Sequence, residues 1–155
     1  MRPALTVVAL LICLTRPSPG QAPCQLQGVW QLVSGKYDGQ TGPAGWRQIK
    51  IITKRHFAFL GEGSRGVKEM KTIADSLQAF RTMNSGGGTY TLAGSTYTEK
   101  IEYFADPAYV GLSIPFTCKT ESDRFIQTGT IPVLEGGRKV GEIKLEEVWR
   151  RIEQF

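Results

Sequence analysis

Two glutamates stand out because each is the one acid on an otherwise apolar strand face. In Thr96–Phe104, alternation groups Tyr97, Glu99, Ile101 and Tyr103 on one side and Thr98, Lys100, Glu102 and Phe104 on the other. In the last apolar run, Ile143, Leu145, Glu147, Trp149 and Arg151 share a side, against Glu142, Lys144, Glu146, Val148 and Arg150. The more apolar side of each strand is expected to face the core and to take its carboxylate with it. A buried carboxylate is costly unless it is paired or hydrogen-bonded. Arg151, Tyr97, Tyr103 and His56 are partners of a suitable type. Three outcomes are open: a polar network that fixes packing and binds nothing, a polar foot that orients a ligand in an apolar pocket, or an acid–base pair for catalysis.

Other chemistry has less support. His56 is the single histidine, which excludes a multi-histidine metal site, and without a cysteine cluster zinc has no ligand set. His56 could be a haem axial ligand or simply a surface or rim histidine. Ser34 and Ser113 lack a G-x-S-x-G context. Gly86-Gly87-Gly88 lacks the lysine of a phosphate loop and reads as the end of a helix with backbone passing close by. No catalytic residue, metal or cofactor is therefore assigned.

The elements that must position the carboxylates are short strands with turn punctuation, the pattern of an all-β sandwich or barrel. Leu26–Ser34, Trp46–Thr53, His56–Leu60, Thr89–Leu92, Thr96–Phe104, Phe116–Thr120, Arg124–Gly129 and Gly141–Ile152 are the expected strands. Within Trp46–Thr53, Ile49 and Ile51 share one face and Ile52 takes the other. One segment breaks the pattern. Val67, Met70, Ile73, Ala74, Leu77 and Phe80 recur at helical spacing, and Val67 to Ser85 contains neither Pro nor Gly. That spacing predicts an amphipathic helix of about four turns whose apolar stripe covers an open barrel end or packs on its outside.

The N-terminal end points to export. Arg2 precedes an apolar run, Ala4 to Leu14, then Arg16, Pro17 and Pro19, with small residues Ser18 and Gly20 before Gln21. This is the layout of a cleavable secretory signal over residues 1–20. The eleven-residue run spans only about 16 Å as a helix, too short for a membrane anchor. Of the 19 Lys and Arg, Arg2 and Arg16 fall here, so residues 21–155 carry 17 basic and 14 acidic groups, a net of +3. No basic block marks a nucleic-acid surface, and no later stretch is apolar enough to span a bilayer. Residues 21–155 form one domain of secreted or periplasmic destination, retaining Cys24 and Cys118. An exported chain with an even pair invites a disulfide; two partly buried thiols are the alternative.

Gly28-Val29-Trp30 lies in the first strand and Trp149-Arg150-Arg151 in the last. A glycine-x-tryptophan opening with a basic residue in the closing strand resembles the calycin superfamily. That resemblance implies barrel closure by Gly28, Trp30 and an arginine over the indole, Arg151 by the inward parity. GVWQLVSG (Gly28–Gly35), KIITKRHFAF (Lys50–Phe59), GGGTYT (Gly86–Thr91), STYTEKIEYF (Ser95–Phe104), DPAY (Asp106–Tyr109), IQTG (Ile126–Gly129) and LEEVWR (Leu145–Arg150) look like a lipocalin-like domain family of secreted, largely bacterial proteins. The resemblance runs from about Leu26 to Ile152 and implies an up-and-down antiparallel β-barrel with an internal cavity, but no chemistry.

The expected function is a binding protein holding a small apolar or amphipathic molecule, with Trp30, Tyr90, Tyr97, Glu99, Tyr103, Glu147 and Trp149 as candidate lining. An isomerase or cyclase using Glu99 or Glu147 as base is a second reading, and an interaction module with a filled barrel a third. The intact mass of exported protein should show the loss of about twenty residues. Full-length chain confined to the cytoplasm would contradict the leader.

Overall fold

The computed structural model describes residues 24–63 and 69–155. The expected leader, residues 1–20, lies outside the described residues. Each run of alternating residues identified above becomes a strand, most of them longer than expected. They are β1 (Gly28–Tyr37), the two-residue β2 (Gln40–Thr41), β3 (Arg47–Ile52), β4 (His56–Glu62), β5 (Met83–Ala93), β6 (Thr96–Phe104), β7 (Ser113–Glu121), β8 (Arg124–Glu135) and β9 (Arg138–Glu153). A helix, α1 (Ile73–Arg81), separates β4 from β5, and a 3-10 turn at Pro107–Tyr109 separates β6 from β7. Neighbouring strands pair antiparallel in the order β2-β1-β3-β4-β5-β6-β7-β8-β9, and β1 also pairs with β9. The eight long strands thus close into an up-and-down barrel, which leaves no long unpaired edge.

Closure is anchored at one end. Trp30 is fully buried opposite Arg151 in the β1–β9 register, and its indole nitrogen donates to the Leu26 carbonyl at 2.7 Å. The Arg151 guanidinium sits 4.3 Å above the indole and donates to the carbonyls of Gln25 and Gln27, each at 2.9 Å. Gly28 makes room for this contact: at φ +139° with a Cβ position 2.6 Å from the Glu153 carbonyl, no side chain fits. Below the indole, Phe125 packs edge-on to Trp30 (5.5 Å) and to Tyr97 (6.1 Å). Cys24 and Cys118 form a disulfide across 94 residues of sequence, holding the N-terminal lead against β7. In the chain-entropy model a loop of that size is worth on the order of 4 kcal/mol.

The helix departs from expectation. It is nine residues long and does not run the four turns that the spacing implies. Thr72 starts it with a capping box, accepting from the Asp75 amide at 3.1 Å while the Asp75 carboxylate accepts from the Thr72 amide at 2.9 Å. It stops at Arg81 because Met83, Asn84 and Ser85 pair with Glu62, Gly61 and Leu60. A strand ladder satisfies those backbone groups and overrides the local helical pattern. The triple glycine belongs to that strand, opposite Phe59, Ala58 and Phe57. Val67 of the expected stripe lies outside the described residues, and the rest of the stripe is uncovered: Ile73 is 81 % exposed, Met70, Ala74, Leu77 and Phe80 are exposed, and of the helix only Ala79 is buried.

Trp30→Ala should cost about 3–5 kcal/mol, because it empties the volume on which Arg151 and Phe125 rest. A chemical-denaturation midpoint unchanged from the parent would show that closure does not depend on the indole.

Candidate functional site

Above the aromatic plug of Trp30, Phe125, Tyr97 and Trp149 the barrel is hollow. A half-enclosed cavity of about 360 Å³ opens at the end that carries α1 and the 3-10 turn. Its walls are Phe59 on β4, Ile101 and Phe104 on β6, Ile114 and Phe116 on β7, Ile131 on β8, and Ile143 and Leu145 on β9. Gly86 keeps the wall thin, since a Cβ there would lie 2.6 Å from the Phe104 ring and 2.8 Å from Phe59. Two larger hollows of about 580 Å³ lie outside the barrel. Their charged residues, Lys36, Lys144, Glu146, His56 and Glu102, are exposed, and no buried polar cluster marks them.

The floor of the cup is polar and buried. Strand alternation brings Gln48 and Lys50 inward from β3, Glu99 from β6, Gln127 from β8 and Glu147 from β9. The Lys50 ammonium donates to Glu99 Oε1 at 2.9 Å and to Gln127 Oε1 at 2.8 Å, and lies 5.0 Å from the Trp149 ring centroid. Glu147 is buried alongside, accepting one hydrogen bond from the Tyr37 hydroxyl at 3.4 Å. The Trp149 indole N–H and the Tyr97 hydroxyl are buried beside Glu147 and Glu99 respectively, close enough to interact with them but outside strict hydrogen-bonding geometry. Desolvation pushes the Glu147 carboxyl above its usual pKa; the Lys50 charge opposes this and the Glu99 charge adds to it. Burial, then the Glu147 charge, pushes the Tyr37 hydroxyl up to about 12. Burial, then Glu99, drives the Tyr97 hydroxyl well above the ordinary tyrosine range.

Of the residues singled out from sequence, Glu99 and Glu147 line the cup. Trp30, Tyr97 and Trp149 are fully buried in the plug beneath it. Tyr90 packs edge-on to Tyr97 at 5.2 Å and donates to the Thr53 carbonyl at 2.9 Å, away from the cup lining. Tyr103 is corrected outright: it points outward and is 73 % exposed. The β5–β6 register shifts between Gly87 and Gly88, so that Gly87 faces Tyr103 and Gly88 faces Ile101, with Glu102 as the extra residue. This bulge reverses the inward–outward alternation, and Phe104 takes the interior place. The partners differ from those expected as well. His56 is exposed at the start of β4 and Arg151 is committed to barrel closure. Lys50, Gln127 and Tyr37 take their place, with Gln48 beside them. Lys50 shares the parity of Ile52, and alternation with isoleucines on both faces of β3 does not say which face is the core.

Because the folded state raises the pKa of Glu147, it holds that proton more tightly than the unfolded chain does. The cost of burying the carboxylate is complete above the raised value and disappears as pH falls toward 4.5. Glu147→Gln should therefore gain stability over the parent at neutral pH and lose that advantage near pH 4, as read from denaturation midpoints at the two pH values. An advantage independent of pH would show that the carboxylate is not strained by burial.

Comparison with protein-family models finds no match for this chain, and comparison with curated proteins finds none either.

Proposed function

We propose that this chain is an exported binding protein that holds a small apolar or amphipathic molecule inside its barrel. The observation that carries the reading is the cup itself, a cavity of about 360 Å³ with apolar walls and a buried polar floor. Its volume lies at the lower end of the roughly 300–1,000 Å³ typical of small-molecule pockets, and its few placed polar groups are what fixes a ligand's orientation in such sites. A barrel filled by its own side chains would leave no such hollow. The Cys24–Cys118 disulfide suits an oxidising compartment, which agrees with the expected leader. Gly28, Trp30 and Arg151 meeting at the closed end support kinship with the calycin barrels.

One observation favours a second reading. Glu147 has a raised pKa, faces the cavity and lies beside a tyrosine, as a general base for an isomerase-type reaction would. The two readings part on Glu147→Gln, which would abolish turnover in an enzyme but only alter affinity in a carrier.

Native mass spectrometry of protein purified from its own host should show a retained molecule. Ile143→Trp, which fills the cup from β9, should release it. Retention undiminished in that variant would place the molecule elsewhere, and the absence of any retained or added ligand would leave the barrel a scaffold.

A further inference from the structure

The charges around the cup do not balance. Its described lining carries one cation, Lys50, against the buried carboxylates Glu99 and Glu147 and the exposed Asp106 near the mouth. Lys50 is already committed, with one hydrogen bond to Glu99 at 2.9 Å and another to Gln127 at 2.8 Å. Glu147 accepts one bond from Tyr37 at 3.4 Å, long for a hydroxyl donor, whose usual distance to oxygen is about 2.7–2.8 Å, and the nearby Trp149 indole N–H falls short of hydrogen-bonding geometry with it. Among the described residues no cation lies within ion-pair distance of it. The cup thus presents a carboxylate that faces the cavity with no cation paired to it and only a long hydrogen bond from Tyr37.

We propose that the cup selects a ligand carrying a protonated amine on a small apolar body, with the Glu147 carboxylate as its counter-ion. The inference rests on the binding reading above and names the class of molecule. An ammonium offers three donors, enough to reach Glu147 and the Tyr37 oxygen together, and it cancels the excess negative charge. A neutral ligand would leave the carboxylate as exposed to desolvation as before. A carboxylate ligand would add a third acid beside Glu99 and Glu147 while Lys50 is occupied. The body of the ligand would lie along Phe59, Phe104, Ile114 and Ile143. Asp106, near the mouth, adds negative potential on the way in.

The test compares n-octylamine, n-octanol and n-octanoate, which share a tail and differ at the head. Binding to the intact mature protein is followed by titration calorimetry at pH 7.5. The amine should bind about tenfold or more tighter than the alcohol, as a charge-assisted hydrogen bond implies, with the carboxylate weakest. In Glu147→Gln the amine should lose its preference, and the two affinities should converge. An alcohol that binds as well as the amine in the parent overturns the proposal and leaves the binding reading standing, as does an amine preference that survives Glu147→Gln. No binding by any of the three overturns both. If Glu147→Gln fails to fold, the order of affinities in the parent decides the matter.

Discussion

The joining of β1 to β9 is the constraint on which the rest of the structure depends. Eight strands become a barrel only if the first meets the last, and that seam is where Trp30 and Arg151 face each other. An indole under a guanidinium whose donors reach two backbone carbonyls is a contact that neither water nor a slipped register reproduces. Because the seam is set at one end, the large aromatic side chains crowd there, and Trp149, Tyr97 and Phe125 fill that end completely. The opposite end, walled by isoleucines and phenylalanines, is left hollow. Plug and cup are two consequences of one asymmetry in side-chain size along the barrel axis.

Between them lies a layer of buried polar groups that the hydrophobic effect alone would not place there. Lys50 lies above the Trp149 face and gives its hydrogens to Glu99 and Gln127, so its burial is offset by an ion pair, an amide and an aromatic surface. Removing one partner would strand the other charge at a cost of about 3–5 kcal/mol, whereas an apolar pair of similar volume would be tolerated. Such a layer is thus poorly explained by stability, and better by its position as the surface that any occupant of the cup would touch.

The strands were legible because alternation and turn residues are local signals, whereas their closure was legible only through the resemblance carried by Gly28, Trp30 and the closing-strand arginine. Burial of Leu145, Glu147 and Trp149 follows directly from counting by two along β9. Where counting failed, a local irregularity had reset it. The bulge at Glu102 turned Tyr103 outward, and no property of Tyr103 itself announces a bulge that lies opposite Gly87 and Gly88 on the neighbouring strand. The helix was overestimated for a related reason: Met83 to Ser85 suit a helix locally but are claimed by pairing with Leu60 to Glu62. Lys50 was missed because a lysine beside isoleucines reads as a solvent-facing residue. Only its three-dimensional neighbours, drawn from β6, β8 and β9, make its burial tolerable.

The seam also dictates an order of events. Arg151 and Gln27, which meet there, are 124 residues apart in sequence, so almost the whole chain must emerge before the barrel can shut. Until β9 arrives, one edge of β1 offers a bare row of amides and carbonyls to any other strand nearby. Topologies dominated by such distant contacts fold slowly, and slow folding prolongs that exposure. The Cys24–Cys118 bond can form earlier, once β7 is out, and it would hold the N-terminal lead beside the half-built sheet while β8 and β9 are still arriving. Beyond stabilising the finished fold, the bridge would act as a tether that keeps the first strand waiting at the place where the last one must dock.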